Sequence, residues 1–120
     1  MKRPVALRVQ DALDVMDRAA EFVGDMGPHE FAADERTVYA VERCFTVLGE
    51  AVRHVPEGVR AAHPAVPWQD ILGMRNRVTH DYLYTDREIL WRTVRVDFPA
   101  LRPLLERLLS DLDAEAGAGP

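Results

Sequence analysis

A single cysteine, a single lysine and the lack of any long apolar run each remove a class of protein. Cys44 alone cannot form an internal disulfide, and no His/Cys spacing resembles a zinc site, so a stapled secreted scaffold is excluded. No apolar stretch approaches the roughly 20 residues that a spanning helix needs. The opening MKRPVALRVQDALD is basic, but acids arrive before any apolar segment, which does not read as a signal peptide. These features lead to the expectation of a reducing, cytoplasmic setting and no membrane contact. Strand-like alternation between hairpin turns is missing too, and no segment repeats.

What remains is a globular composition, 48% hydrophobic and 29% charged over 120 residues, sufficient for one modest core. The net charge of −5 argues against an indiscriminate nucleic-acid binder. The charge is unevenly spread, however. Residues 67–110 hold 7 bases against 6 acids, all the bases are arginine, and the last ten residues add only acids. Arginine's planar fork suits phosphate better than lysine does, although 14 arginines to 1 lysine also fits a compositional bias.

The apolar spacing is helical throughout. Val9, Leu13, Met16, Ala20 and Val23 recur at steps of three and four, which predicts a core-facing helix over 5–24. Gly24, Gly27 and Pro28 break it, and Pro28 can open a short turn over HEFAA. Asp34 is placed to cap a second long helix striped by Val38, Val41, Phe45, Leu48, Val52 and Val55, which Pro56 ends. A short turn over 57–63 leads to a third helix over 67–82. Asp86 can cap a fourth, with Leu90 and Val94 inward. DFPALRPLLERLLSDL then reads as a continuation kinked by Pro99 and Pro103, with Leu101, Leu104, Leu105, Leu108 and Leu112 as its stripe. The fold expected is all-α, an antiparallel bundle of four to five helices over 1–113, with 114–120 as a disordered tail.

The third helix contains an anomaly. With Arg75 set at zero and about 100° per residue, Trp68, Ile71, Leu72, Val78 and Tyr82 all fall within about 60° of it. A permanent charge thus sits in the middle of an apolar face. That is costly unless it is paired or faces a polar groove. A structural ion pair with a neighbouring helix satisfies the cost, and so does a phosphate bound in a cleft. Asn76 and His80 form their own stripe at the border of that face. His80 alone fits packing or capping as well as catalysis, and Asn76 fits a plain surface amide. Tyr82 fits a half-buried aromatic with its hydroxyl at the surface. His29, His54 and His63 have no partner at catalytic spacing. Cys44 reads as a small buried hydrophobe, Trp68 and Trp91 as core or interface anchors, and Gly49 as a point of close helix approach.

RNRVTHDY, from Arg75 to Tyr82, fits the pattern Arg-x4-His-x-Tyr with Asn directly after the Arg. With VLGEA at 47–51, PW at 67–68, GMRN at 73–76, TDREILW at 85–91 and DFPAL at 97–101, the chain resembles the HEPN superfamily. Within that superfamily it resembles the HepT-like toxins of toxin–antitoxin pairs. Where relatives often have a small residue between the His and the Tyr, this chain has Asp81.

The resemblance implies a homodimeric, metal-independent endoribonuclease that needs no cofactor and acts on tRNA or mRNA. It further implies a cognate minimal nucleotidyltransferase antitoxin, which silences the toxin by AMP transfer to the motif tyrosine, here Tyr82. Arg75 and His80 are then the catalytic pair and Asn76 a supporting group that fixes the imidazole tautomer or contacts phosphate. The residue types suit the chemistry. An RNA 2′-hydroxyl can attack the adjacent phosphorus if one group takes a proton, another gives one, and positive charge meets the phosphorane. On a straight helix Arg75 and His80 diverge by about 140°, and one chain offers one such histidine. A two-fold axis through the site answers both difficulties. The alternative, from another class, is a non-catalytic helical module that binds a nucleotidyltransferase partner or a nucleotide.

Overall fold

The computed structural model describes residues 3–80 and 86–117, with 75–80 described by their backbone alone. Every element among them is helical. The helix α1 (Val5–Val23) carries its stripe almost as the spacing predicts, burying Val9, Leu13, Met16 and Val23. Ala20 is the exception: it is exposed, and Ala19 takes the inward position at 0% exposure. Gly24 ends α1 at φ 52°, in the left-handed region where a side chain would strain the backbone.

Pro28 occupies the first turn of α2 (Pro28–Ala33), where its missing N–H is one of the helix's unpaired donors anyway. This short helix plugs the bundle end with Phe31, which is fully buried. Asp34 then caps α3 (Glu35–Arg53), its carboxylate accepting from the Thr37 N–H at 3.0 Å. All six residues of the expected α3 stripe, Val38 through Val55, are buried. The α3 helix is central, packing on α1 and on α5 (Trp68–His80), while α1 also packs on α7 (Phe98–Gly117).

Three expectations change in detail. The turn over 57–63 is a helix, α4 (Glu57–Ala62), with no buried residue of its own. The fourth helix and its continuation run without a break from α6 (Arg87–Arg92) through a π-helical turn (Thr93–Asp97) into α7. In that turn the Phe98 N–H reaches the Thr93 carbonyl, five residues back. Pro99 has no N–H for the carbonyl four residues before it, and the widened turn places it at the start of a new helical segment. The tail expected to be disordered is helical as far as Gly117. Ala114, Glu115 and Ala116 are good helix formers and extend α7. Residues 118–120 lie outside the described part. Among the described residues no helix is long and apolar enough to cross a membrane.

Candidate active site

The motif lies on α5, and both ends of its surroundings are pinned. Pro67 delivers the chain to Trp68, a residue only 8% exposed. Its indole N–H donates to the carbonyls of Arg60 (3.1 Å) and His63 (3.0 Å). These bonds satisfy the donor of a buried indole and tie α5 to α4. Ile71, one turn further, is fully buried in the common core, and Leu72 and Met74 pack against it.

The Asp86 carboxylate caps α6 by accepting from the N–H groups of Glu88 (3.0 Å) and Ile89 (3.3 Å). Arg87 next to it grips the α2–α3 junction. It donates to the Ala32 carbonyl and to Glu35 Oε1, the latter at 2.7 Å. Arg87 also holds the Glu35 carboxyl below the ordinary glutamate range, by its hydrogen bond first and its charge second. Neighbouring Glu42 moves the other way, because partial burial penalises its charged form. Trp91 completes the anchor, its indole N–H donating to the Met26 carbonyl at 2.8 Å, with the Arg95 guanidinium 5.9 Å from the ring centre. The indole readings of the sequence are met at Trp68 and Trp91. Arg87 carries no signal in the sequence beyond its place in TDREILW, because its partners lie 52 and 55 residues away.

Backbone geometry puts Arg75, Asn76 and His80 on one continuous helix. Their side chains lie outside the described residues. So does all of 81–85, with Asp81, Tyr82 and Tyr84. The other histidines have separate surroundings. His54 caps the C-terminal end of α3 with Nε2 3.8 Å from Glu50, and His63 Nδ1 lies 3.9 Å from Asp111. Among the described residues no three His, Cys, Asp or Glu groups cluster so as to hold a metal. Cys44 is buried, and that burial pushes its thiol pKa up, away from a reactive thiolate.

The chain belongs to the ribonuclease HepT-like family, whose pattern it matches over residues 12–108. It is 33% identical over 112 residues to a Methanocaldococcus jannaschii protein named "Putative RNase MJ0125", covering 93% of this chain and 97% of that one. It is 32% identical over 108 residues to "Probable ribonuclease HepT" of Thermococcus cleftensis, covering 90% of this chain and 98% of that one. A third similarity, 31% over 114 residues, is to "Putative RNase MJ1216" of Methanocaldococcus jannaschii, with 95% of this chain and 94% of the relative covered. No solved structure matches the chain.

Proposed function

We propose that the protein is the toxin of a toxin–antitoxin pair, an endoribonuclease that cuts RNA without metal at a site shared by two copies of the chain. The observation that carries this reading is the family match across 12–108, which includes Arg75, Asn76 and His80 on α5. In this reading, the RNA 2′-hydroxyl loses its proton to an imidazole and attacks the adjacent phosphorus. The 5′-oxygen leaves with a proton from an acid, and a 2′,3′-cyclic phosphate remains. His80 serves as acid or base because imidazole titrates near neutrality. Arg75 offers a fixed charge and a forked donor to the phosphorane oxygens. Pairing two α5 helices about a two-fold axis supplies a second histidine and a second arginine to the same groove. Asn76, one turn before His80, holds the imidazole tautomer or contacts the phosphate.

The pure protein is expected to cut single-stranded RNA in EDTA and to leave cyclic phosphate ends. Cleavage that requires a divalent ion, or that leaves 3′-hydroxyl ends, would contradict the mechanism. Absence of cleavage by the intact, folded chain favours the non-catalytic module instead.

Control of the toxin is assigned to a minimal nucleotidyltransferase that moves AMP from ATP to the Tyr82 hydroxyl, releasing pyrophosphate. The new phosphodiester brings about one negative charge and a bulky nucleoside beside the site meant for RNA phosphate. Co-expression with the cognate transferase is expected to raise the intact mass by AMP units mapping to Tyr82. Tyr82→Phe should keep the fold and escape the adduct. Neutralisation that persists in Tyr82→Phe with no adduct anywhere means that the antitoxin acts by binding alone.

A further inference from the structure

The short helix α6 has only six residues, yet two of its side chains reach distant parts of the chain. Arg87 and Trp91 stand four residues apart and therefore share one face of the helix. Each donates to a backbone carbonyl beside α2. Trp91 takes the Met26 carbonyl just before α2, and Arg87 takes the Ala32 carbonyl in its last turn. A carbonyl in the last turn of a helix has no N–H of that helix to accept from, and Arg87 supplies the missing donor. α6 thus clasps α2 at both ends. The other arm of the Arg87 fork adds Glu35 at the start of α3, at 2.7 Å.

The two anchors differ in what they hold. Trp91 is half-buried and packs against the core, so it belongs to the fold. The Arg87 side chain is one-third exposed and that of Glu35 more than half, and an ion pair this open adds little to global stability. Its place in the chain gives it a different use. Arg87 follows Asp86, and only residues 81–85 separate Asp86 from His80, the last residue of α5. One end of that link is carried by α5, which Trp68 and Ile71 fix to α4 and the core. The other end is carried by α6, which Arg87 fixes to α2 and α3.

We propose that Arg87 is a positioning residue for ribonuclease action: by tying the start of α6 to the α2–α3 junction, it fixes the far end of the chain that leads out of His80. The inference rests on the ribonuclease reading and adds to it a group outside the motif. Its effect falls on chemistry rather than on RNA binding. Proton transfer depends on exact placement, and an error of about 1 Å can cost about 10²-fold in rate. Arg87 itself is not free to take a phosphate, because its fork already serves Ala32 and Glu35.

The test is steady-state cleavage of a single-stranded RNA oligonucleotide by the full chain. Arg87→Ala should lower kcat by about tenfold or more and leave KM within about twofold of the parent. Arg87→Lys should recover part of the loss, since an ammonium reaches one acceptor but does not fork. Glu35→Ala should lower kcat less than Arg87→Ala does, because the bond to Ala32 remains. Arg102→Ala is the control. It removes a similarly open ion pair, with Asp17 between α7 and α1, and kcat should stay within about twofold of the parent. Urea midpoints of Arg87→Ala and Arg102→Ala should lie close together, so that unfolding does not account for the difference in rate. Arg87→Ala cutting at the parent kcat, or a loss that Arg102→Ala shares, overturns the proposal. A midpoint for Arg87→Ala far below that of Arg102→Ala also overturns it and assigns the arginine to the fold. So does a KM that rises in Arg87→Ala and falls in Glu35→Ala, which would make Arg87 an RNA contact released by its partner. A parent that cuts no RNA removes the ribonuclease reading and this inference with it. A parent that cuts, beside an Arg87→Ala chain that cuts equally well, removes this inference alone.

Discussion

His80→Ala and Arg75→Ala are each expected to lower RNA cleavage by about 10²–10⁴-fold, the usual loss when one acid–base group or one charge on the transition state is removed. Both substitutions should leave helix content unchanged. Alanine is a better helix former than either residue, so α5 does not unwind. The two variants differ in one informative respect. Arg75→Lys keeps the charge but loses the fork, so it should recover only part of the activity if Arg75 holds two phosphate oxygens. At a composite site, mixing His80→Ala with Arg75→Ala chains gives heterodimers that retain one intact member of each type. Cleavage at the parent rate by His80→Ala removes His80 from the mechanism. Cleavage that returns on mixing two dead variants supports a shared groove, and cleavage at the parent rate by Arg75→Ala would assign that arginine to structure.

Much of this fold is legible from local pattern. Asp34 and Asp86 cap the helices that the sequence assigns them, because a cap depends only on residues two or three positions ahead. The α3 stripe is complete because one buried face of a long central helix must be apolar at every turn. The ends of the π-helical turn were not legible. Prolines mark where backbone bonds fail, and they leave open whether the chain answers with a kink or with a widened turn. Alanine and glycine near a terminus suggest fraying, whereas α7 is already nucleated and each alanine as far as Ala116 only lengthens it.

The site divides in the same way. Arg75 stands out in the sequence because a charge on an apolar helical face breaks a local rule, whereas Asn76 and His80 stand out only through the resemblance that RNRVTHDY carries. The groups that hold the segment do not stand out. Arg87 reaches Ala32 and Glu35, and Trp91 reaches Met26 across 65 residues of chain. Such partners become neighbours only after α2 and α6 have packed together, and no periodicity in either segment announces it.

The packing that brings those segments together makes Phe45→Ala the most damaging core substitution expected. Phe45 sits in the middle of α3, 2% exposed, on the helix that touches α1, α5 and α6. Its ring faces that of Phe98, with centroids 5.6 Å apart and planes tilted by 43°. Phe98 opens α7 directly after the π-helical turn, so this pair ties the central helix to the last long one. Truncation to alanine removes the ring's burial and leaves a cavity, a loss of about 3–5 kcal/mol. A tilted aromatic pair adds about 0.5–1.5 kcal/mol of its own, which overlaps that range. Domains of this size are stable by about 5–15 kcal/mol, so the change takes away a large share. The urea midpoint should fall by about 1 M or more, given slopes of about 1–3 kcal/mol per molar. Tyr39→Ala, on the same helix but 62% exposed, should shift stability by about 0.5 kcal/mol or less. A Phe45→Ala midpoint no lower than that of Tyr39→Ala would mean that the ring is not part of the load the core carries. Phe98→Leu distinguishes the two components. It keeps an apolar group against Phe45 while removing the ring pair, so it should cost less than Phe45→Ala and leave α6 and α7 joined.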